Sequence, residues 1–330
     1  MEDKSIPMNT LLQVKVASKI WLADDIGGYE LSPLSDGGLP AFEAGSHIDL
    51  HVPLGPMRQY SLYDLPGENP CYRIGVLRDP QSRGGSVKLL DDVQVGDTLT
   101  ISAPRNHFAL HSGQEDRSIL FAGGIGITPI LCMAQQLARE RRPFEMHYCG
   151  RTLSRMAFVD RLQQAQFGDE SQVHVHVDDG TPGQQLDASS SIGSPSPDKH
   201  LYVCGPTGFM DHILQTAREL GWDEGHLHRE YFAASPIDSS DDERFEIEIG
   251  SSGRIIEVHA DQSAAHALLD AGFNLPLSCE QGVCGTCMTK VLDGVPDHRD
   301  LYLTDEERAS NDSFMPCCSR AKTSRLVLDL

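Results

Sequence analysis

Three successive rhythms along the chain predict a multidomain fold: an antiparallel β-barrel, an α/β domain built on a parallel sheet, and a small α+β domain. Residues 11–110 read as short strands with almost no helical period, and residues 118–232 alternate strand with helix. Beyond a polar, Ser-rich stretch, a compact segment carries Cys279-Glu-Gln-Gly-Val-Cys284-Gly-Thr-Cys287. The expected domains are 1–112, 113–234 and 235–330, with a linker at about 233–243.

In the first part, Leu11–Ile20, His47–Val52, Arg58–Tyr63, Tyr72–Leu77 and Thr98–Ser102 are rich in β-branched or aromatic residues and bounded by Gly, Pro and Asp. A single helical stretch lies near Gly85–Leu90. Closing such strands into a barrel removes exposed edges. In the second part, strands at Ser118–Ala122, Phe144–Tyr148, Val173–Val177, Leu201–Cys204 and Leu227–Phe232 alternate with helices at Thr128–Arg141, Ala157–Gln164 and Gly208–Leu220. That alternation argues a parallel sheet covered on both faces. Ala188–Asp198, rich in Ser and Pro, reads as a surface loop. In the third part, strands at Phe245–Ile249 and Arg254–His259 flank a turn at Ser251-Ser252-Gly253, a helix follows at Ser263–Ala271, and late strands lie at Met288–Leu292 and Leu326–Leu330.

The chain has 330 residues and a formal net charge of −21, which argues against nucleic acid as a partner, since phosphate binding wants a basic face. No run of eighteen apolar residues suggests a membrane span, and the start Met1-Glu-Asp-Lys-Ser-Ile-Pro7 has neither the basic nor the apolar part of a signal peptide, so a cytoplasmic protein is expected. Residues 236–330 contribute −10, from 18 acidic and 8 basic side chains, as either a solvated surface or a docking face for a basic partner.

The C-x4-C-x2-C spacing of Cys279, Cys284 and Cys287 is that of a plant-type 2Fe-2S cluster rather than zinc, which favours paired C-x2-C ligands. Gly282 and Gly285 give the loop the backbone freedom to wrap a small inorganic core. The fourth thiolate is Cys317 or Cys318. On a strand only one of the two would face the cluster, and periodicity does not choose between them. The other cysteines (Cys71, Cys132, Cys149, Cys204 and the remaining one of that pair) read as scattered thiols, most of them in apolar runs.

A one-electron cluster cannot accept a hydride, whereas a flavin takes two electrons and releases them singly, so a flavin site is expected upstream. Arg58-Gln59-Tyr60-Ser61 offers a cation, an aromatic plate and a hydroxyl on one strand, and Gly84-Gly85-Ser86 opens a helix whose N–H groups suit an anion. Each would be unremarkable alone. Gly123-Gly124-Ile125-Gly126-Ile127-Thr128-Pro129 follows a strand and opens a helix, as a pyrophosphate turn does, and Pro129 at the helix start loses no needed N–H. Cys204-Gly205-Pro206 ends another strand, where ligands of parallel sheets sit. Arg151 lies just past a strand as a candidate for adenosine ribose or phosphate, and Asp178 and Asp179 follow a neighbouring strand; if near the adenosine ribose, they would repel a 2′-phosphate and weakly favour NADH over NADPH.

In this order, Arg58-x-Tyr60-Ser61, Gly84-Gly85-Ser86, the 123–129 turn, Cys204-Gly205-Pro206 and the C-terminal cysteine loop resemble the phthalate dioxygenase reductase family over nearly the whole chain. The resemblance implies an FMN-binding barrel, an NADH-binding domain and a plant-type ferredoxin domain of the β-grasp type. It implies Arg58 and Ser86 near the FMN phosphate, Tyr60 and Ser61 along the ring with the Ser61 hydroxyl close to N5, Cys204 near the nicotinamide, and Phe232 as the aromatic residue by the flavin. The closing pattern, here Cys317-Cys318-Ser319-Arg320-Ala321, assigns the fourth ligand to Cys317. The implied function is an oxidoreductase passing electrons from NADH through FMN and 2Fe-2S to a separate terminal oxygenase, a Rieske non-haem iron enzyme. A reductase for a soluble diiron monooxygenase and a non-catalytic iron–sulfur redox sensor are the alternatives. The first commonly places its ferredoxin domain first and uses FAD; the second needs no NADH turnover.

Overall fold

The computed structural model describes residues 11–34, 37–67, 70–80, 84–113, 116–165, 167–168, 171–232 and 242–330. The expected linker lies largely outside the described residues, as does the N-terminal start. By compactness the chain forms two units, Met1–Glu230 and Tyr231–Leu330.

The first unit begins with strands β1 (Leu11–Ala23), β2 (Ile26–Pro33), β3 (Ser46–His51), β4 (Met57–Ser61) and β5 (Tyr72–Leu77), helix α1 (Gly85–Asp92), and strands β6 (Thr98–Ser102) and β7 (Arg105–Asn106). They form one antiparallel sheet in the order β4-β3-β6-β1-β2-β5, with β7 on β3. An antiparallel bridge between Leu62 and Ile74 brings its two ends together, so the sheet closes as a barrel. Alternate residues Val14 and Val16, Ile48 and Leu50, Ile74 and Val76, and Leu99 and Ile101 fill the interior. Strand β2 has no counterpart among the expected strands; its Gly27-Gly28 pair carries little strand propensity. The pair lies in the sheet because a methyl on Gly27 would meet the Leu90 side chain at 2.4 Å and one on Gly28 the Leu22 side chain at 2.9 Å. The last carbonyls of α1 are held by Lys19, whose Nζ donates to the Leu90 and Val93 oxygens at 2.7 Å each.

The same unit continues with β8 (Arg117–Gly123), α2 (Ile127–Glu140), β9 (Phe144–Gly150), α3 (Val159–Gln164), β10 (Gln172–Val177), α4 (Ala188–Ile192), β11 (Lys199–Cys204), α5 (Thr207–Glu219) and β12 (Leu227–Glu230). All five strands are parallel, in the order β10-β9-β8-β11-β12. Strand order therefore reverses between β8 and β11. The expected surface loop 188–198 begins instead with α4: Asp187 caps it by accepting from the Ser190 N–H at 3.1 Å, and Ala188 and Ile192 are buried. The Ser-rich composition masked an Asp-x-x-Ser cap. Barrel and parallel sheet share a continuous core, with Cys132 donating to the Asp64 carbonyl at 2.9 Å and Gln135 to that of Tyr63 at 2.8 Å.

The second unit holds β13 (Phe245–Ile249), β14 (Ile255–Val258), α6 (Ala264–Asp270), β15 (Thr289–Asp293), β16 (Pro296–Asp297), α7 (Asp305–Ser310), β17 (Ser313–Phe314), β18 (Arg320–Ala321) and β19 (Arg325–Leu328). The main sheet runs β14-β13-β19-β15-β17, with β16 and β18 as a separate ribbon. Helix α6 packs Ala264, Ala265 and Leu268 into a core with Ile247, Val258, Phe314, Leu326 and Leu328. Thr304 and Glu307 form a capping box at the start of α7.

Candidate functional site

Strand β4 pairs with β3 in the register Leu50–Arg58, Asp49–Gln59, Ile48–Tyr60 and His47–Ser61. Arg58 crosses the start of α1: a methyl on Gly85 would lie 2.9 Å from its Nε, so only glycine leaves room. Gly84 precedes the helix at φ 84°, a left-handed conformation that suits glycine and leaves the cap position without a side chain of its own. Ser86, buried, accepts from the Asp79 N–H through its hydroxyl at 3.2 Å. The two flavin motifs read from the sequence are thus one place, a guanidinium beside a helix start. Two residues along β4, the Tyr60 hydroxyl is buried with no hydrogen-bond partner among the described residues, and burial pushes its pKa up. Such an orphaned phenol costs on the order of 1–3 kcal/mol. A bound group with an acceptor beside the ring and a phosphate beside Arg58 fits both features.

The two glycine turns of the nucleotide sheet meet at the carboxyl ends of β8 and β11, the point where strand order reverses and where ligands of open parallel sheets bind. A methyl on Gly126 would sit 2.2 Å from the Cys204 carbonyl oxygen, and one on Gly205 would be 2.9 Å from the Gly123 Cα. Gly124 adopts φ 53°. Thr128 is buried in the first turn of α2, its hydroxyl donating to the Ile125 carbonyl at 3.1 Å. Pro206 precedes α5, and Arg151 lies exposed just past β9.

Cys204 is fully buried and pairs in register with Glu230 on β12. Burial, and then the Glu230 carboxylate, hold its thiol well above the ordinary cysteine pKa, so it is a neutral packing group and not a thiolate. Glu230 reaches back to the barrel: Ser61 donates to its Oε2 at 3.1 Å, and His47 Nδ1 lies 3.6 Å from its Oε1. His47 in turn meets Gln59 Nε2 at 3.3 Å. Ser61 and Cys204, singled out separately in the sequence, are therefore joined through one carboxylate. Glu230 and His47 were not among the expected site residues; the available signal was the glutamate ending the last parallel strand, directly before Tyr231-Phe232. Phe232 belongs to the second unit, where it is 38 % exposed.

In the second unit, Cys279, Cys284, Cys287 and Cys317 converge. Cys279 is hydrogen-bonded to the Cys284 and Cys317 thiols, and Cys287 to Cys317. These bonds hold Cys279 and Cys287 below the ordinary thiol pKa and raise the donors Cys284 and Cys317. Four sulfurs crowded into one largely buried place suit a bound cationic core, which takes all four as thiolates. The Gln281 N–H points at the Cys279 sulfur at 3.3 Å. Gly282 and Gly285 have φ of 72° and 70°, and a methyl on Gly285 would lie 2.3 Å from the Tyr302 ring. The double cysteine lies in a turn, not on a strand, so strand alternation does not apply to it. Cys318 bonds back to the Met315 carbonyl at 3.7 Å, and its sulfur lies 2.4 Å from where a Gly282 methyl would be. Asp300, fully buried, accepts from the Leu303 N–H at 2.8 Å and the Tyr302 N–H at 3.2 Å, which pins the segment behind the loop.

The family model of the 2Fe-2S iron-sulfur cluster binding domain matches residues 247–322, and that of the oxidoreductase NAD-binding domain matches residues 120–215. A vanillate O-demethylase oxidoreductase of Pseudomonas sp. (strain HR199) is 52 % identical over 97 % of this chain and 100 % of its own. The solved structure of phthalate dioxygenase reductase, described as modular for electron transfer from pyridine nucleotides to 2Fe-2S, aligns with TM-score 0.73 and 39 % identity over 98 % of both chains. An intact type IV self-sufficient cytochrome P450 monooxygenase contains a region that aligns with TM-score 0.84 and 37 % identity, covering 97 % of this chain and 41 % of that one. With its barrel, its nucleotide sheet and its cysteine loop in one order, the chain belongs to the phthalate dioxygenase reductase family of oxidoreductases, the reductase components of oxygenase systems.

Proposed function

We propose that this chain carries electrons from NADH through FMN and a 2Fe-2S cluster to a separate terminal oxygenase of the Rieske non-haem iron type. The observation that carries this reading is the Ser61–Glu230 hydrogen bond. It ties the flavin-side strand β4 to the strand end beside Cys204, so that nicotinamide and flavin would meet on one face.

When bound, FMN accepts the two electrons of a hydride and releases them singly. Arg58, with Gly84, Gly85 and Ser86 at the start of α1, would hold its phosphate; Tyr60 and Ser61 would lie along the ring, with the Ser61 hydroxyl oriented by Glu230. Gly123, Gly124, Gly126 and Thr128 would seat the pyrophosphate of NADH, Arg151 its adenosine portion, and Cys204-Gly205-Pro206 its nicotinamide. Asp178 and Asp179, just past β10, disfavour a 2′-phosphate. Cys279, Cys284, Cys287 and Cys317 would ligate the cluster. On functional grounds the chain divides at 1–112, 113–234 and 235–330. A cytoplasmic setting suits nine cysteines, none of which forms a disulfide.

A second acceptor is favoured by one comparison: the matching region of the self-sufficient P450 belongs to a chain with a P450, so a haem acceptor is the next reading. Anaerobic titration with NADH, followed optically and by electron spin resonance, tests the proposal. The expected result is flavin bleaching and a reduced 2Fe-2S signal, NADPH being much less effective. An NADH-reduced flavin that leaves the cluster oxidised sinks the relay.

A further inference from the structure

Away from the glycine turns, the described residues contain two groups of histidines on opposite faces of the parallel sheet. In the first, on β9 and β10, Glu145 Oε1 lies 3.2 Å from His147 Nε2 and 3.4 Å from His174 Nε2, while His147 Nδ1 meets His176 Nε2 at 3.0 Å. In the second, His111, Asp116 and His200 each offer a ligand atom, and these atoms all lie within 4.8 Å of one another. Only this second set is compact enough to surround one ion.

We propose that His111, Asp116 and His200 bind a divalent transition-metal ion of the zinc class, with His228 orienting His200. Two imidazole nitrogens and one carboxylate oxygen form a zinc-type set that leaves a position for water. Behind it, His200 Nδ1 lies 2.9 Å from His228 Nε2. When His200 donates there, its Nε2 lone pair faces Asp116, 3.9 Å away. His228 itself stacks on Tyr202 at 4.5 Å, so the orienting ring is held.

His111 is the ligand that must adjust. It is hydrogen-bonded to Asp116 at 2.5 Å and stacked on His200 at 4.1 Å and 16°, an arrangement that leaves the in-plane lone pairs side by side. Its side chain is 51 % exposed to solvent. Its main chain is fixed: the N–H donates to the Tyr202 hydroxyl at 2.7 Å, and the carbonyl accepts from Arg142 at 2.9 Å. His200 and Asp116 lie at the amino ends of β11 and β8, so the ion sits roughly 13 Å along the sheet from Cys204, at the edge opposite the nicotinamide turns. It would staple the connection from barrel to parallel sheet onto β11, a structural role separate from the electron path.

Equilibrium dialysis of the holoprotein, cluster in place, against Zn²⁺ tests this, with zinc per chain measured by elemental analysis. Wild type and a His174→Ala control are expected to hold one more zinc than His111→Ala and Asp116→Asn, whose affinity at this site falls at least tenfold. Zinc should also raise the unfolding midpoint of wild type but not of His111→Ala. Equal zinc uptake by wild type and both site variants overturns the proposal, and so does loss of the zinc in His174→Ala instead.

Discussion

Arg58 and Gly85 show how closely the flavin-side chemistry depends on single atoms. With a methyl at Gly85 2.9 Å from the guanidinium, Arg58 keeps its position only because that methyl is missing. If Arg58 holds the FMN phosphate as proposed, Arg58→Ala removes a charge-assisted contact worth about 1.5–3 kcal/mol, so FMN affinity falls roughly 10- to 100-fold, read by flavin fluorescence on titrating apoprotein. Cys284→Ser separates the two halves of the relay: reduction of the acceptor should disappear while anaerobic bleaching of the flavin by NADH persists. Full oxygenase turnover by that variant would place the electron exit elsewhere. At this scale the sequence was most legible where chemistry and spacing coincide, as in the cysteine loop. It was least legible for Glu230 and His47, whose importance comes from distance in space.

Helix starts and strand ends are where the elements do their work. Gly126 ends the turn after β8 so tightly against Cys204 that an added methyl would be 2.2 Å from a carbonyl oxygen. Gly126→Ala must push the two strand ends apart. The expected cost is about 1–3 kcal/mol in unfolding, together with a raised KM for NADH. In the second unit, Arg320 binds the loops around β18: it donates to the carbonyls of Gln262 at 2.9 Å, Glu243 at 2.9 Å and His259 at 3.1 Å, and lies over the Phe245 ring at 5.2 Å. Arg320→Ala leaves those oxygens without a charged donor. Thermal melting followed at the cluster chromophore should show a loss of about 3 kcal/mol. Most elements were readable because period 2 and period 3.6 differ plainly. Strand β2, with its paired glycines, and α4, with its serines, were not, because each is poor in the residues its element favours and only packing overrules that.

Charge acts over the whole molecule. The segment 236–330 carries −10 of the net −21, including Asp305, Glu306 and Glu307 at the start of α7. If this charge steers the cluster toward a basic acceptor, the second-order rate of acceptor reduction falls as ionic strength rises, while NADH-to-flavin transfer barely changes. Stopped-flow rates at low and high salt check it, and a rate indifferent to salt removes the steering role. No helix among the described residues is long and apolar enough to cross a membrane.

From residue order alone came the multidomain architecture, the cysteine loop of the 2Fe-2S domain and the resemblance to oxygenase reductases, because each depends on spacings of a few residues that a linear chain records directly. Tertiary structure decided that Arg58 and the Gly84–Ser86 turn are one site, that Glu230 links Ser61 to the Cys204 strand, and that the double cysteine sits in a turn. Each of these joins residues far apart in the chain or depends on how a local segment packs. Such contacts are set by strand order, barrel closure and the burial that leaves a side chain one place to go.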